Sequence, residues 1–188
     1  GQHIGAYWLP SDDPASRPTI RSLNAAGAGV SARCVIGASG TLTDITVSDI
    51  IIDCQDVPNR NGLCLYQYAD GQTVNNITVR NVRVINSTVN DGNWYKGIGI
   101  DYFGNNSRTT AYGTSTNILV IDCEAIDLGA HGFQFNGTLG KLDAVSGRWY
   151  GVDVVSCLAD GCGVGKDSHG FTSFSGGVLV AWTNGSWV

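Results

Sequence analysis

Four stretches of this chain alternate apolar and polar residues in the same way. They begin at Ile45 (ITVSDIIID), Ile77 (ITVRNVRVI), Ile118 (ILVIDCEAI) and Val152 (VDVVSCLAD). In every copy the first, third, sixth and eighth positions are apolar, and the fifth holds Asp49, Asn81, Asp122 or Ser156. Period-two alternation predicts a strand with one buried face. A short polar residue that tolerates left-handed or bridge backbone predicts a bend. Each copy therefore reads as two short strands joined at a tight corner. The starts lie 32, 41 and 34 residues apart (45 to 77, 77 to 118, 118 to 152). A strand–bend–strand unit at that period predicts a solenoid.

A third short apolar piece follows each repeat: Gly62–Tyr66, Gly97–Asp101, Gly132–Asn136 and Gly170–Phe174, with a poorer copy at Arg33–Ile36. All four clear copies open with glycine, which permits a sharp turn into the strand. The prediction is an all-β chain, a parallel β-helix of about four to five coils with three short strands per coil. Residues 1–188 read as a single domain. Within it, 1–28 form an incomplete first coil with two extended pieces (around His3–Trp8 and Arg17–Ile20), 29–177 the regular coils, and 178–188 a terminal strand or tail. No amphipathic helical pattern offers a cap for an open solenoid end, so the chain is expected to be part of a longer protein or of an assembly.

Composition agrees with strands: 26 glycines, 4 prolines, no methionine, and only 14% charged residues. A net charge of −5 without a basic run gives no reason to expect nucleic acid. No apolar run approaches the roughly 20 residues of a membrane span. No secretory leader pattern is present, and whatever preceded Gly1 is expected to have been removed. The six cysteines (34, 54, 64, 123, 157 and 162) lack paired CxxC spacing, so no zinc site is expected. Cys123 and Cys157 share the sixth position of the repeat and should stack in neighbouring coils. A buried thiol ladder and one or more disulfides are both open. Arg80 and Arg83 read as solvated.

The phrases Asn76–Asn86 and Ile45–Cys54, with the corner series Asp49, Asn81, Asp122 and Ser156, resemble the right-handed parallel β-helix proteins of the pectate-lyase-like superfamily. The resemblance covers roughly residues 30–177. It implies a right-handed helix, and a polysaccharide groove along the outward face of the third strands. It does not imply one activity, because the superfamily holds lyases, hydrolases, epimerases, tailspikes and non-catalytic surface proteins.

Alternation within the third strands points Leu63 and Leu65, Ile98 and Ile100, Phe133 and Phe135 inward. Cys64, Tyr66, Gly99, Asp101, Gln134 and Asn136 are then outward, and Asn61, Lys96, His131 and His169 precede the glycines. Neighbouring coils are expected to bring Lys96, Asp101, His131, Gln134 and Asn136 onto one edge or face. The longest loops flank Asp101: Ser87–Lys96 carries Trp94 and Tyr95, and Phe103–Thr116 carries Tyr112. Long loops on a rigid scaffold concentrate binding residues, and aromatics beside amides suit sugar rings. The candidate catalytic residues are thus Asp101, His131 and Lys96. The candidate substrate-binding residues are Tyr66, Trp94, Tyr95, Tyr102, Tyr112, Gln134, Asn136 and His169.

Known chemistries fit only in fragments. Gly99–Asp101 and Ala130–Gly132 echo polygalacturonase-like hydrolases, but the paired carboxylates of inverting hydrolysis are missing. Uronate elimination needs a base, for which Lys96 or His131 qualifies, and a cation beside the carboxylate. No acidic cluster for calcium stands on the outward face, and no metal or cofactor is expected. Tyr150–Asp153 starts like an epimerase motif and then departs from it. Sequons occur at Asn76, Asn86, Asn105, Asn136 and Asn184.

Two readings of function follow. One is a secreted or extracellular domain that engages a polysaccharide or cell-surface glycan, as a lyase- or hydrolase-type enzyme if it is one. The other is a non-catalytic structural or adhesive solenoid, a segment of a fibre, tailspike or surface assembly, expected as a homo-oligomer such as a trimer.

Overall fold

The computed structural model describes residues 1–5, 16–21, 34–56, 60–67, 72–87, 96–102, 115–128, 131–136, 149–162, 178–181 and 183–187. These residues are all-β, and no helix occurs among them. The strands are β1 (Gln2–Gly5), β2 (Thr19–Arg21), β3 (Cys34–Ser39), β4 (Leu42–Asp53), β5 (Asn61–Gln67), β6 (Val74–Ser87) and β7 (Lys96–Tyr102). They continue as β8 (Ser115–Ile121), β9 (Glu124–Leu128), β10 (His131–Asn136), β11 (Trp149–Val155), β12 (Leu158–Asp160), β13 (Val178–Ala181) and β14 (Thr183–Trp187).

Two sheets result, and every described pairing is parallel. The larger runs β1-β4-β6-β8-β11-β14, with β2 on β4 and the pair β9–β12 beside β6; the smaller runs β13-β10-β7-β5-β3. The periods read from the sequence are the registers of the larger sheet: Ile45 lies beside Ile77, Ile77 beside Ile118, and Ile118 beside Val152. This topology is compatible with a parallel β-solenoid. The two extended N-terminal pieces are strands β1 and β2, and both pair in parallel with β4.

Like residues stack, and this builds the core. Val47, Val79 and Val120 form one fully buried column, Ile52, Val84 and Ala125 a second, and Leu63, Ile98 and Phe133 a third from the opposite sheet. The opening glycines turn out to serve this packing more than backbone freedom. Neither Gly62 nor Gly97 has a positive φ. A Cβ on Gly97 would lie 2.4 Å from Leu128 Cδ1 and 2.8 Å from the Gly132 carbonyl oxygen. A Cβ on Gly62 would meet Val84 Cγ1 at 2.4 Å and the Gly97 carbonyl at 2.5 Å. The sheets approach each other too closely here for any side chain.

The corner residues adopt left-handed backbone as the pattern predicts: φ is 58° at Asp49, 51° at Asn81, 53° at Asp122 and 52° at Ser156. Two further corner series exist that the alternation did not expose. One is Asp44, Asn76 and Asn117 (55°, 54° and 56°); the other is Asn86, Asp127 and Gly161 (59°, 54° and 64°). Left-handed backbone costs an L-residue roughly 1–2 kcal/mol, and short polar side chains offset it by bonding the next repeat. Asn81 Nδ2 donates to Asp49 Oδ1 at 2.8 Å, Asn76 Nδ2 to Asp44 Oδ1 at 3.0 Å, and Asn117 Nδ2 to Asn76 Oδ1 at 3.0 Å. Asn86 Nδ2 likewise donates to Asp53 Oδ1 at 3.1 Å. The amides of the sequon residues Asn76 and Asn86 are therefore engaged in ladders.

Arg80 and Arg83 are solvent-exposed as expected (57% and 40%) and are also partnered: Arg83 pairs with Glu124 at 2.5 Å and Arg80 with Asp49 at 3.5 Å. Glu124 also receives Arg17 at 3.5 Å, and Arg17 Nη1 donates to Asn81 Oδ1 at 3.0 Å, tying the N-terminal segment across two repeats. The strand stacked on β10 is Val178–Ala181, with Phe133 beside Val178. The piece expected there, Gly170–Phe174, lies outside the described residues. The burial of Cys64 is a correction that belongs to the site.

Candidate functional site

The candidate residues ride on the smaller sheet. Its strand interiors are fixed by the apolar column Leu63, Ile98 and Phe133, so register decides what stands beside what. Backbone pairing sets Asp101 next to Tyr66 on one side and Asn136 on the other. It sets Lys96 next to His131, Gln134 between Gly99 and Leu179, and Tyr102 next to Gln67. Two groupings emerge where the sequence reading expected one. Lys96 and His131 open β7 and β10, whereas Asp101 and Asn136 lie five residues further along. At about 3.3 Å per residue that is roughly 16 Å along the strand. Trp94, Tyr95, Tyr112 and His169 lie outside the described residues.

The outward reading of Cys64 is corrected. It is fully buried, yet it stands apart from the core cluster that contains Leu63 and Leu65. Its register neighbours are Gly37 and Gly99, so the middle of this face at β5 is covered. Asn61 stands two residues before Leu63, as Lys96 stands two before Ile98. It is 2% exposed, and its Nδ2 lies 3.8 Å from Cys34 Sγ. Beside it Arg60 is 1% exposed, and its carbonyl accepts a hydrogen bond from Ser87 Oγ at 2.6 Å. Sequence reading passed over Arg60 because arginine is almost never fully buried unless paired. Its place immediately before the Asn61–Gly62 strand opening was the available signal.

The electrostatics separate structural from reactive groups. Burial alone would raise Asp49, but hydrogen bonds from Asn81 and Ser48 and the Arg80 charge hold its carboxyl below the usual range. Asp53 is likewise low: hydrogen bonds from Asn86, the Gln55 backbone and Arg21 outweigh its burial. Asp49 is a corner carboxylate and Asp53 ends β4, and hydrogen bonds from the next repeat favour the ionised form of both. Burial pushes the Cys54 thiol up to about 12, which makes it inert. All six cysteines are free thiols. Among the described residues no group of three or more His, Cys, Asp or Glu is placed to hold a metal ion. No helix among them is long and apolar enough to cross a membrane.

By residue type, the register row Tyr66–Asp101–Asn136 carries a phenol, a carboxylate and an amide on successive strands. The Lys96–His131 grouping supplies two nitrogen bases. No protein-family model, curated protein or solved structure matches the chain.

Proposed function

We propose that the chain is a right-handed parallel β-helix domain of the pectate-lyase-like kind that engages an extracellular polysaccharide or cell-surface glycan. The ligand would lie along the sheet β3-β5-β7-β10-β13. The observation that carries this reading is the row Tyr66, Asp101 and Asn136 on three successive parallel strands. Neighbouring strands are about 4.8 Å apart, so the row is a short periodic array of hydrogen-bonding groups with an aromatic at one end. Such an array suits a repeating polymer whose hydroxyls need polar partners and whose ring faces stack on aromatics. Gln134, two residues before Asn136, falls on the same face by alternation, Tyr102 ends β7, and the remaining aromatic candidates Trp94, Tyr95 and Tyr112 precede or follow β7 in sequence.

If the domain also transforms its ligand, elimination is the better supported chemistry. Lys96 beside His131 offers a base to take a proton next to a uronate carboxylate and a cation to neutralise that carboxylate. Inverting hydrolysis needs two carboxylates about 6.5–9.5 Å apart, and register sets only Asp101 in the row.

A structural or adhesive solenoid is the second reading, favoured by exposed apolar side chains towards opposite ends of the larger sheet. Ile4 is 41% exposed on β1, Val155 42% on β11 and Leu158 51% on β12. One experiment separates the two. The purified chain is incubated with a panel of acidic and neutral polysaccharides, product is followed by the ultraviolet absorbance of unsaturated uronates, retention by affinity electrophoresis, and mass by light scattering. Retention or product from a monomer supports polysaccharide engagement. A stable trimer or filament with neither retention nor product overturns it in favour of assembly.

A further inference from the structure

We propose that Cys123 and Cys157 form a redox-active pair, in which Cys157 is the attacking sulfur and closure makes a disulfide between two neighbouring repeats. The oxidant class is a small disulfide such as oxidised glutathione. The proposal rests on register. On the side before the pair, Asp122 N donates to the Val155 carbonyl at 3.0 Å; on the side after it, Leu158 N donates to the Cys123 carbonyl at 2.9 Å. Pairing resumes with Val155 beside Ile121 and Leu158 beside Glu124. The two cysteines thus face each other across one strand spacing, about 4.8 Å, inside the roughly 4.4–6.8 Å Cα separation that a disulfide spans.

Side-chain placement gives the two thiols different roles. Cys157 Sγ lies 3.6 Å from the Val120 carbonyl, so it leans into the repeat that holds Cys123. Cys157 is half-buried, whereas Cys123 is fully buried. A solvent-borne disulfide therefore reaches Cys157 first, and Cys123 is the resolving thiol behind it. The neighbouring thiols shift each other's pKa, lowering that of Cys157 and raising that of Cys123, whose Sγ lies 3.2 Å from the Ile121 carbonyl and 3.5 Å from the Val79 carbonyl. A lowered, accessible thiol beside a second one is the arrangement found in redox-sensitive cysteines. The other thiols lack this combination. Cys54 and Cys64 are fully buried, burial raises the pKa of Cys162, whose Sγ lies near the carbonyls of Ala125 and Asp160, and half-buried Cys34 has Asn61, not a cysteine, as its register neighbour.

The chemistry balances in two exchanges. The Cys157 thiolate attacks one sulfur of the small disulfide, forming a mixed disulfide and expelling one thiolate. Cys123 then loses its proton and attacks Cys157 Sγ; the new S–S bond forms as the second small thiol leaves. The protein loses two hydrogens, and the small disulfide is reduced to two thiols.

The test uses the folded chain with oxidised glutathione, acid quenching, alkylation, intact mass and peptide mapping. The expected product has lost two hydrogens and carries one cross-link, Cys123 to Cys157, which persists in Cys162→Ser. Cys123→Ser should stop at a single glutathione adduct on Cys157, and Cys157→Ser should give neither adduct nor cross-link while folded. Should Cys123→Ser fail to fold, Cys123→Ala carries the same prediction. A cross-link between any other pair, a first adduct on another cysteine, or an intact Cys157 thiol after exposure would overturn the proposal.

Discussion

The two sheets use polar residues in opposite ways, and the contrast separates structure from chemistry. In the larger sheet, polar residues recur in kind at each repeat: Asp49 and Asn81, then Asp44, Asn76 and Asn117. Each amide bonds the member before it, at 2.8–3.0 Å. Each gives at least one donor or acceptor to the ladder, which holds the corners in register. In the smaller sheet the register row runs Tyr66, Asp101, Asn136 and then Ala181. No residue type repeats there, so stacking is not what placed them. A polar column of constant chemistry is architecture; one of changing chemistry is a candidate surface.

This contrast is best broken where the smaller sheet meets the core. Gly97→Val places a branched side chain where a Cβ alone would lie 2.4 Å from Leu128 Cδ1. Overpacking should cost about 3 kcal/mol or more, read as a lost or greatly lowered urea midpoint. A midpoint near wild type would show that the sheets have room to separate. Next in size, Asn81→Ala removes the bond to Asp49 and the acceptor of Arg17 while keeping a Cβ in left-handed backbone. The expected cost is about 2 kcal/mol, and Asn81→Gly should recover part of it. Neither variant should change polysaccharide retention under conditions where it is folded.

Acid offers a gentler probe of the same ladders. Asp49 and Asp53 have lowered pKa values in the fold, so their contribution is present above the unfolded value and is lost as pH falls through the folded one. Stability against urea should therefore hold from neutral pH down to about pH 4 and decline below it. Asp49→Asn should flatten that decline, and an unchanged acid limb in this variant would count against an ionised ladder.

Much of this was legible in the chain. Ile45, Ile77, Ile118 and Val152 gave the registers because a repeat that buries one face admits no slip of one residue. The corners at Asp49, Asn81, Asp122 and Ser156 were legible because they interrupt an apolar alternation. Asp44, Asn76 and Asn117 were not, since each sits just before the first apolar residue and looks like an ordinary strand boundary. The glycines were seen and their reason missed: close approach of two sheets is a three-dimensional fact with no local signature. The site divided for a similar cause. Lys96 and Asp101 share one short strand in sequence, but a strand is long in space, and five residues separate them by roughly 16 Å. Trp94, Tyr95, Tyr112 and His169 fall between the periodic segments, where no register assigns a place.

The central claim is that the Tyr66–Asp101–Asn136 row meets the ligand while the corner ladders only hold the fold. Affinity electrophoresis of Asp101→Ala against wild type, on a polysaccharide that retains the wild-type chain, tests it most directly when the melting temperature is measured on the same samples. The account predicts at least a tenfold loss of affinity, about 1.4 kcal/mol, with an unchanged melting temperature. Wild-type retention by Asp101→Ala, or a loss of affinity that merely tracks a fall in melting temperature, would contradict it.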